Sequence, residues 1–183
     1  MKELSLNILD IAQNSVKARA TLIGITLIES DSKLSFEITD NGCGMTRQQV
    51  DNLRDPFFTT RTTRKVGLGI PFLVLAAEQT GGRVEIASRS EKEFPDDHGT
   101  RVYAEFIKDS IDYTPLGDIV STVITLIHGA DGIDYEFRHE MPDGCAELST
   151  KQMREVLGEG VSLSEPDVLA WAEEYLRSMY EKN

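Results

Sequence analysis

A chain of 183 residues with 40% apolar and 27% charged side chains can build one full domain plus a small appendage around an ordinary soluble core. Its net charge of −12 is uneven: residues 1–110 carry 14 Lys/Arg against 16 Asp/Glu, whereas residues 111–183 carry 5 against 15, which speaks against nucleic-acid binding through the C-terminal part. No run of 18 or more apolar residues predicts a membrane span. The N-terminus lacks a secretory pattern, the two cysteines (Cys43 and Cys145) form no disulfide framework, and no CxxC or HxxxH spacing suggests a metal site, so a cytoplasmic location fits.

Leu4 to Lys17 reads as a helix with an imperfect apolar stripe (Leu4, Leu6, Ile8, Ile11, Val16), and Asp10, Asn14 and Lys17 share another face at i, i+4, i+7. Ala20 to Glu29 and Lys33 to Thr39 read as strands joined by a turn at Asp31-Ser32. Residues 46–66 are polar apart from Phe57-Phe58 and predict a short helix followed by a mobile loop. Leu68 to Gln79 is a second long helix, with Pro71 tolerated in its first turn and Gly81-Gly82 ending it. Val84 to Ser88 and Arg101 to Ile107 are further strands flanking a charged hairpin loop, 89–99.

Residues 108–117, with Pro115 and Gly117, read as a linker. Ile119 to Ile127 fits either a strand or a buried helix. Ile133 to His139 alternates as a half-buried strand does. Ser149 to Leu157 is helical, with Ser149 or Thr150 as N-cap. Ser164-Glu165-Pro166 opens a last helix carrying Val168, Leu169, Trp171, Ala172, Tyr175 and Leu176. The expected division is therefore 1–110 and a small acidic module at 111–183.

Five segments stand in order along the chain: Asp10 to Lys17, Asp40-Asn41-Gly42-Cys43-Gly44-Met45, Asp55-Pro56-Phe57-Phe58-Thr59-Thr60-Arg61, Gly67-Leu68-Gly69-Ile70 and Gly99-Thr100. Any one alone is weak, but together they resemble the ATP site of the GHKL superfamily, which includes gyrase, Hsp90, histidine kinases and MutL. The resemblance covers residues 1–107. It implies an α+β fold, a two-layer α/β sandwich (the Bergerat ATP-binding fold) whose mixed sheet carries helices on one face, plus a small C-terminal α/β extension.

The resemblance also implies roles. Asp40, at a strand end, would accept a hydrogen bond from the adenine amine, with Gly42 and Gly44 letting the backbone approach the base and Met45 beside them; taken alone, Asp40 reads equally as a turn cap. Asn14 would be a Mg²⁺ ligand through its amide oxygen, and Lys17 would reach a phosphate. Asp10 stands where ATP-hydrolysing relatives usually carry Glu, making it the candidate general base. Residues 55–61 closely resemble a box of nitrogen-regulation-type histidine kinases, in which Phe57, Phe58, Thr59 and Thr60 would seat a lid over the nucleotide. Arg61, Arg64 and Lys65 would add positive charge near the phosphates. Gly67, Leu68, Gly69 and Ile70 open a helix whose N–H groups would hold phosphate, although the usual preceding glycine is replaced by Lys65-Val66. Thr100 would share a water with Asp40 and adenine.

The implied function is a Mg-ATP-binding protein of the histidine kinase or anti-sigma kinase type, transferring phosphate to a partner protein in trans. Alternatives are an ATP-hydrolysing or ATP-gated switch, and a nucleotide-binding adaptor without catalysis. The phosphoacceptor hairpin of a histidine kinase is expected to be absent, and His98, His128 and His139 read as structural or solvated. Gyrase or MutL membership is disfavoured, because those chains continue into a second large domain. Relatives often form homodimers, but no heptad pattern supports a coiled coil.

Overall fold

The computed structural model describes residues 3–53, 69–130, 132–158 and 160–181. Elements follow in the order α1 (Leu4–Lys17), β1 (Leu22–Glu29), β2 (Lys33–Asp40), α2 (Arg47–Leu53), α3 (Gly69–Gln79), β3 (Arg83–Arg89), β4 (Gly99–Ile107), α4 (Ile119–Gly129), β5 (Asp134–Met141), β6 (Gly144–Ser149), α5 (Thr150–Leu157) and α6 (Pro166–Glu181). The strands form one six-stranded sheet ordered β3-β4-β2-β1-β5-β6. Only the β1–β5 pairing is parallel; the other four are antiparallel.

The strands alternate because one face of the sheet meets helices and the other meets water. Ile23, Ile25 and Leu27 of β1, Leu34, Phe36 and Ile38 of β2, and Val102, Ala104 and Phe106 of β4 are buried, with Phe36 and Phe106 stacked at 6.0 Å. The outer face carries ion pairs between neighbouring strands, such as Arg101 with Glu37 and Arg83 with Glu105. Leu4, Ile8, Ile11 and Ala12 of α1 complete the apolar layer.

The structure decides one open choice and adds one element. Ile119–Gly129 is a helix: Asp118 caps it by accepting the Ser121 N–H at 2.9 Å, and Ile119, Val120, Val123, Leu126 and Ile127 bury one helical face. Strand β6, which the sequence did not suggest, pairs with β5 from Glu136↔Ser149 to Met141↔Gly144. The segment 108–117 is more than a spacer. Its Pro115 and Leu116 carbonyls accept the Leu4 and Ser5 N–H groups at 2.9 and 2.8 Å, satisfying donors that the first turn of α1 would otherwise leave free.

The sheet also runs past residue 110, since β5 lies beside β1 in register from Leu22↔Asp134 to Ile28↔Glu140. Tyr135 and Phe137 of β5 belong to the same core cluster as α1 and β2. Phe137→Ala is therefore expected to cost about 3–5 kcal/mol, measured by urea unfolding, with one transition for the whole chain.

His139 is buried at the far end of β5. Its Nδ1 lies 3.0 Å from the Tyr180 hydroxyl, and its Nε2 lies 3.3 Å from Glu29, which also holds Lys108 at 2.7 Å. Nε2 is too poorly aligned with Glu29 to form a hydrogen bond. Burial lowers the His139 pKa from its ordinary 6.5, and the Glu29 carboxylate only partly opposes this. Below pH 6.5 the unfolded chain takes a proton that the folded chain resists, so stability falls as pH drops through that value. Urea midpoints measured from pH 7.5 to 5.5 are expected to decline, and His139→Gln is expected to flatten that decline.

Candidate functional site

Three strand ends converge where β2 stops. The β2–β4 register sets Asp40 opposite Thr100, and the β3–β4 register sets Ser88 opposite Thr100. Side chains at paired positions share a face, so Asp40, Thr100 and Ser88 form a polar row beside the inward row of buried Ile38 and Val102 and half-buried Ile86. With His98 and Gly99 they line an open depression of about 570 Å³, to which Arg47 of α2 also contributes.

The Asp40 carboxylate is held at both oxygens. Oδ2 accepts from the Ser15 hydroxyl on α1 at 2.6 Å, and Oδ1 accepts from the Gly42 N–H at 2.9 Å. The second contact is the turn-capping role legible in the sequence; the first ties the strand end to a helix. A carboxylate offers about four lone-pair sites, so each oxygen can still accept one more donor.

Ser88 organises the opposite wall. Its Oγ accepts the Met45 N–H at 2.8 Å, donates to the Gly99 carbonyl at 2.9 Å, and lies 2.9 Å from Thr100 Oγ1. With its single proton given to Gly99, Ser88 accepts in the last contact and Thr100 donates. Asn41 clamps the start of β1, accepting from Thr21 N and Leu22 N at 2.8 and 3.0 Å and donating to Thr21 Oγ1 at 2.8 Å. His98 Nδ1 lies 2.6 Å from the Gly42 carbonyl.

The glycines of this loop have reasons within the chain itself. A Cβ on Gly42 would lie 2.8 Å from both the Cβ and the carbonyl oxygen of Ala18, and the neighbouring Cys43 N–H bonds that same oxygen at 2.9 Å. Gly44 has φ +59, and a Cβ there would collide with the Arg89 carbonyl.

On α1, Asp10 and Lys17 are exposed and Asn14 is half-buried. Among the described residues these three side chains have no hydrogen-bond or ion-pair partner. A Cβ on Gly69, the first residue of α3, would lie 3.5 Å from Asp10 Cβ and 3.7 Å from Asp10 Oδ2, so the N-terminus of α3 abuts the α1 polar face. Ile70 is buried and anchors that helix end. The donor N–H groups of α3 and two hard oxygen donors, Asp10 and Asn14, therefore stand together. This suits a phosphate group carrying its own hydrated Mg²⁺. Among the described residues, no group of three or more His, Cys, Asp or Glu could hold a metal ion by itself.

The structure places the described candidates in two groups linked through α1: Asp40, Gly42, Gly44, Met45 and Thr100 at the strand ends, tied to α1 by Ser15, and Asp10, Asn14 and Lys17 on the polar face of α1, with Gly69 and Ile70 at the start of α3 beside Asp10. Phe57, Phe58, Thr59, Thr60, Arg61, Lys65, Gly67 and Leu68 lie outside the described residues. Ser15 and Ser88 went unnoticed in the sequence. Their signal was a hydroxyl in an otherwise apolar place: Ser15 is buried on the core side of α1, and Ser88 continues the inward alternation of Val84 and Ile86.

A family model described as histidine kinase-, DNA gyrase B-, and HSP90-like ATPase matches residues 2–111. The sensor histidine kinase ZraS of Escherichia coli (strain K12) is 31% identical over 87 residues, 46% of this chain and 18% of that protein. The signal transduction histidine-protein kinase AtoS of the same strain is 35% identical over 89 residues, 48% of this chain and 14% of that protein. The chain therefore spans under a fifth of the length of these curated relatives. Among solved structures, the N-terminal domain of a DNA repair protein superposes with TM-score 0.54 at 16% identity, covering 87% of this chain and 58% of that one. The Aquifex aeolicus MutL ATPase domain complexed with ADP superposes with TM-score 0.53 at 13% identity, covering 86% and 69%. This likeness of fold reaches beyond residue 111, consistent with β5 and β6 belonging to the same sheet.

Gly44→Ala is expected to destabilise the protein by at least about 1–3 kcal/mol, because it adds left-handed strain to a backbone collision. Comparison of urea midpoints with wild type checks this.

Proposed function

The chain belongs to the histidine kinase-, DNA gyrase B-, and HSP90-like ATPase family, and on that premise we propose that residues 1–110 bind Mg-ATP and pass its γ-phosphoryl group to a partner protein in trans. The observation that carries the reading is the Asp40 carboxylate, oriented by Ser15 of α1 and by Gly42 and still able to accept, on the wall of an open depression at the strand ends.

In this reading Asp40 accepts the exocyclic N–H of adenine. A purine analogue with a carbonyl in place of that amine would face the carboxylate with an acceptor and be rejected. Thr100, with Ser88 accepting its proton, keeps its own lone pairs for a water between the strand ends and the base. Asn14 would hold the Mg²⁺ that arrives with the triphosphate and neutralises its charge. The N–H groups at the start of α3 and the Lys17 ammonium would bind phosphate oxygens. Asp10 would take the proton of the attacking hydroxyl or imidazole as the bond from γ-phosphorus to ADP breaks and the bond to the acceptor forms. The family resemblance to sensor kinases supports a role in signal relay, with the acidic part, 111–183, available for partner contact.

Isothermal titration with Mg-ATP tests the reading. Wild type is expected to bind. Asp40→Asn is expected to weaken ATP about 10–100-fold, since it replaces a charged acceptor by an amide. Asn14→Ala is expected to bind equally with and without Mg²⁺. Asp10→Asn is expected to keep binding while losing turnover and transfer. Failure of wild type to bind ATP would end the proposal. Binding with slow hydrolysis and no transfer to any supplied protein would favour an ATP-gated switch instead.

A further inference from the structure

Helix α6 is two-faced. Ala172 and Leu176 are fully buried against the core, and Val168 and Met179 pack beside them. At 100° per residue Asp167, Ala170, Glu174 and Glu181 lie on the opposite side, with Trp171 and Tyr175 on the flank between the two faces, and all of these are exposed. Trp171 and Tyr175 are 52% and 40% exposed, and their rings stack at 5.4 Å with an interplanar angle of 14°. The arrangement is thus a stacked aromatic ledge in water, with Asp167 one turn before Trp171 and Glu174 one turn after it.

The unpaired charges on that face, among the described residues, are of one sign. Asp167, Glu174 and Glu181 have no ion-pair partner among the described residues. The nearby Arg177 is already held by Glu173 at 2.7 Å and Asp118 at 3.1 Å. This contrasts with the outer face of the sheet, where carboxylates are matched by arginines and lysines on neighbouring strands. The surrounding segment, residues 111–183, has 15 acidic against 5 basic side chains, so its field reinforces the local one.

We infer that this ledge is the docking surface for a basic, arginine-bearing segment of a partner protein. A guanidinium stacks on an aromatic face through cation–π attraction while its N–H fork reaches a carboxylate, and Trp171-Tyr175 with Asp167 and Glu174 offers both at helix spacing. Complementarity of charge selects this occupant. An anionic lipid surface or a nucleic acid would be repelled by three unpaired carboxylates. The exposed apolar patch of Phe72 and Leu75 on α3 has no such charge pattern and identifies no occupant. The inference does not depend on the nucleotide chemistry proposed above.

Trp171 is the only tryptophan of the chain, so its emission reports on the ledge directly. The full chain is titrated with a blocked peptide of alternating arginine and leucine, following both tryptophan emission and the anisotropy of a label on the peptide. Saturable quenching or shift of emission is expected. Trp171→Ala is expected to weaken the peptide about tenfold, while Trp171→Phe, which keeps a ring, stays within a few-fold of wild type. The double variant Asp167→Asn with Glu174→Gln is expected to weaken it similarly. Glu78→Gln with Asp109→Asn, which removes the same charge at exposed positions elsewhere, is expected to change little. Peptide binding without any change in emission would overturn the inference. So would equal weakening by the two double variants, which would mean that net charge alone attracts the peptide. A shift of emission on dilution of the protein alone would also overturn it, by showing that a second copy covers the ledge.

Discussion

The carboxylate of Asp40 joins the two layers of the molecule at the point where the candidate site begins. Strand β2 ends there, its last residue paired with Ile23 of β1 on one side and Thr100 of β4 on the other. The 2.6 Å bond from Ser15 binds it to α1, and the bond from Gly42 folds the following chain back over Ala18. From that turn follow the contacts of Cys43 with the end of α1 and of Met45 with Ser88. Removing the carboxylate would leave a buried hydroxyl without an acceptor and a tight turn without its cap. The group read as a ligand acceptor is thus also a structural tie, and the two roles use different lone pairs.

Much of this was legible in the sequence, for reasons particular to each segment. Helix α1 has the expected bounds because its apolar stripe and its polar face are both long enough to be unambiguous. Strands β1 and β2 stood out through alternation of Ile, Leu and Phe, although β1 starts at Leu22, after Arg19 adopts φ +62 to turn the chain. The run Ile119–Ile127 was undecidable because continuous apolar, β-branched sequence satisfies a strand and a buried helix alike. What decides it is tertiary: Asp118 caps the helix, and α1 and α6 take its two flanks. Strand β6 escaped notice because it is short and its register depends on β5 rather than on any pattern of its own.

The site divides in the same way. Asp40, Asn14 and the glycines are visible because residue type and spacing are constrained together. Ser15 and Ser88 are harder to see: a serine at an inward position is only a faint signal, and the fold reveals that each faces a partner. Gly42 and Gly44 looked like concessions to a flat ligand. The structure supplies a prior demand, since Ala18 and Arg89 already occupy the space of a side chain. Sequence motifs therefore mix residues needed to build the pocket with residues needed to use it, and geometry is required to sort them.

That sorting exposes an asymmetry. The wall formed by the strand ends is fully cross-tied: Asp40, Asn41, Ser88 and His98 each hold at least one contact within 3.0 Å before any ligand arrives. The face formed by α1 is the reverse, with Asp10, Asn14 and Lys17 unpartnered among the described residues. In the proposed reading the base meets acceptors whose ordering cost was met on folding, whereas the phosphate end meets side chains that must still be ordered. Such a site would discriminate the base at little entropic cost. It would also leave the reacting end adaptable, its geometry completed only when phosphate, Mg²⁺ and an acceptor group are present together.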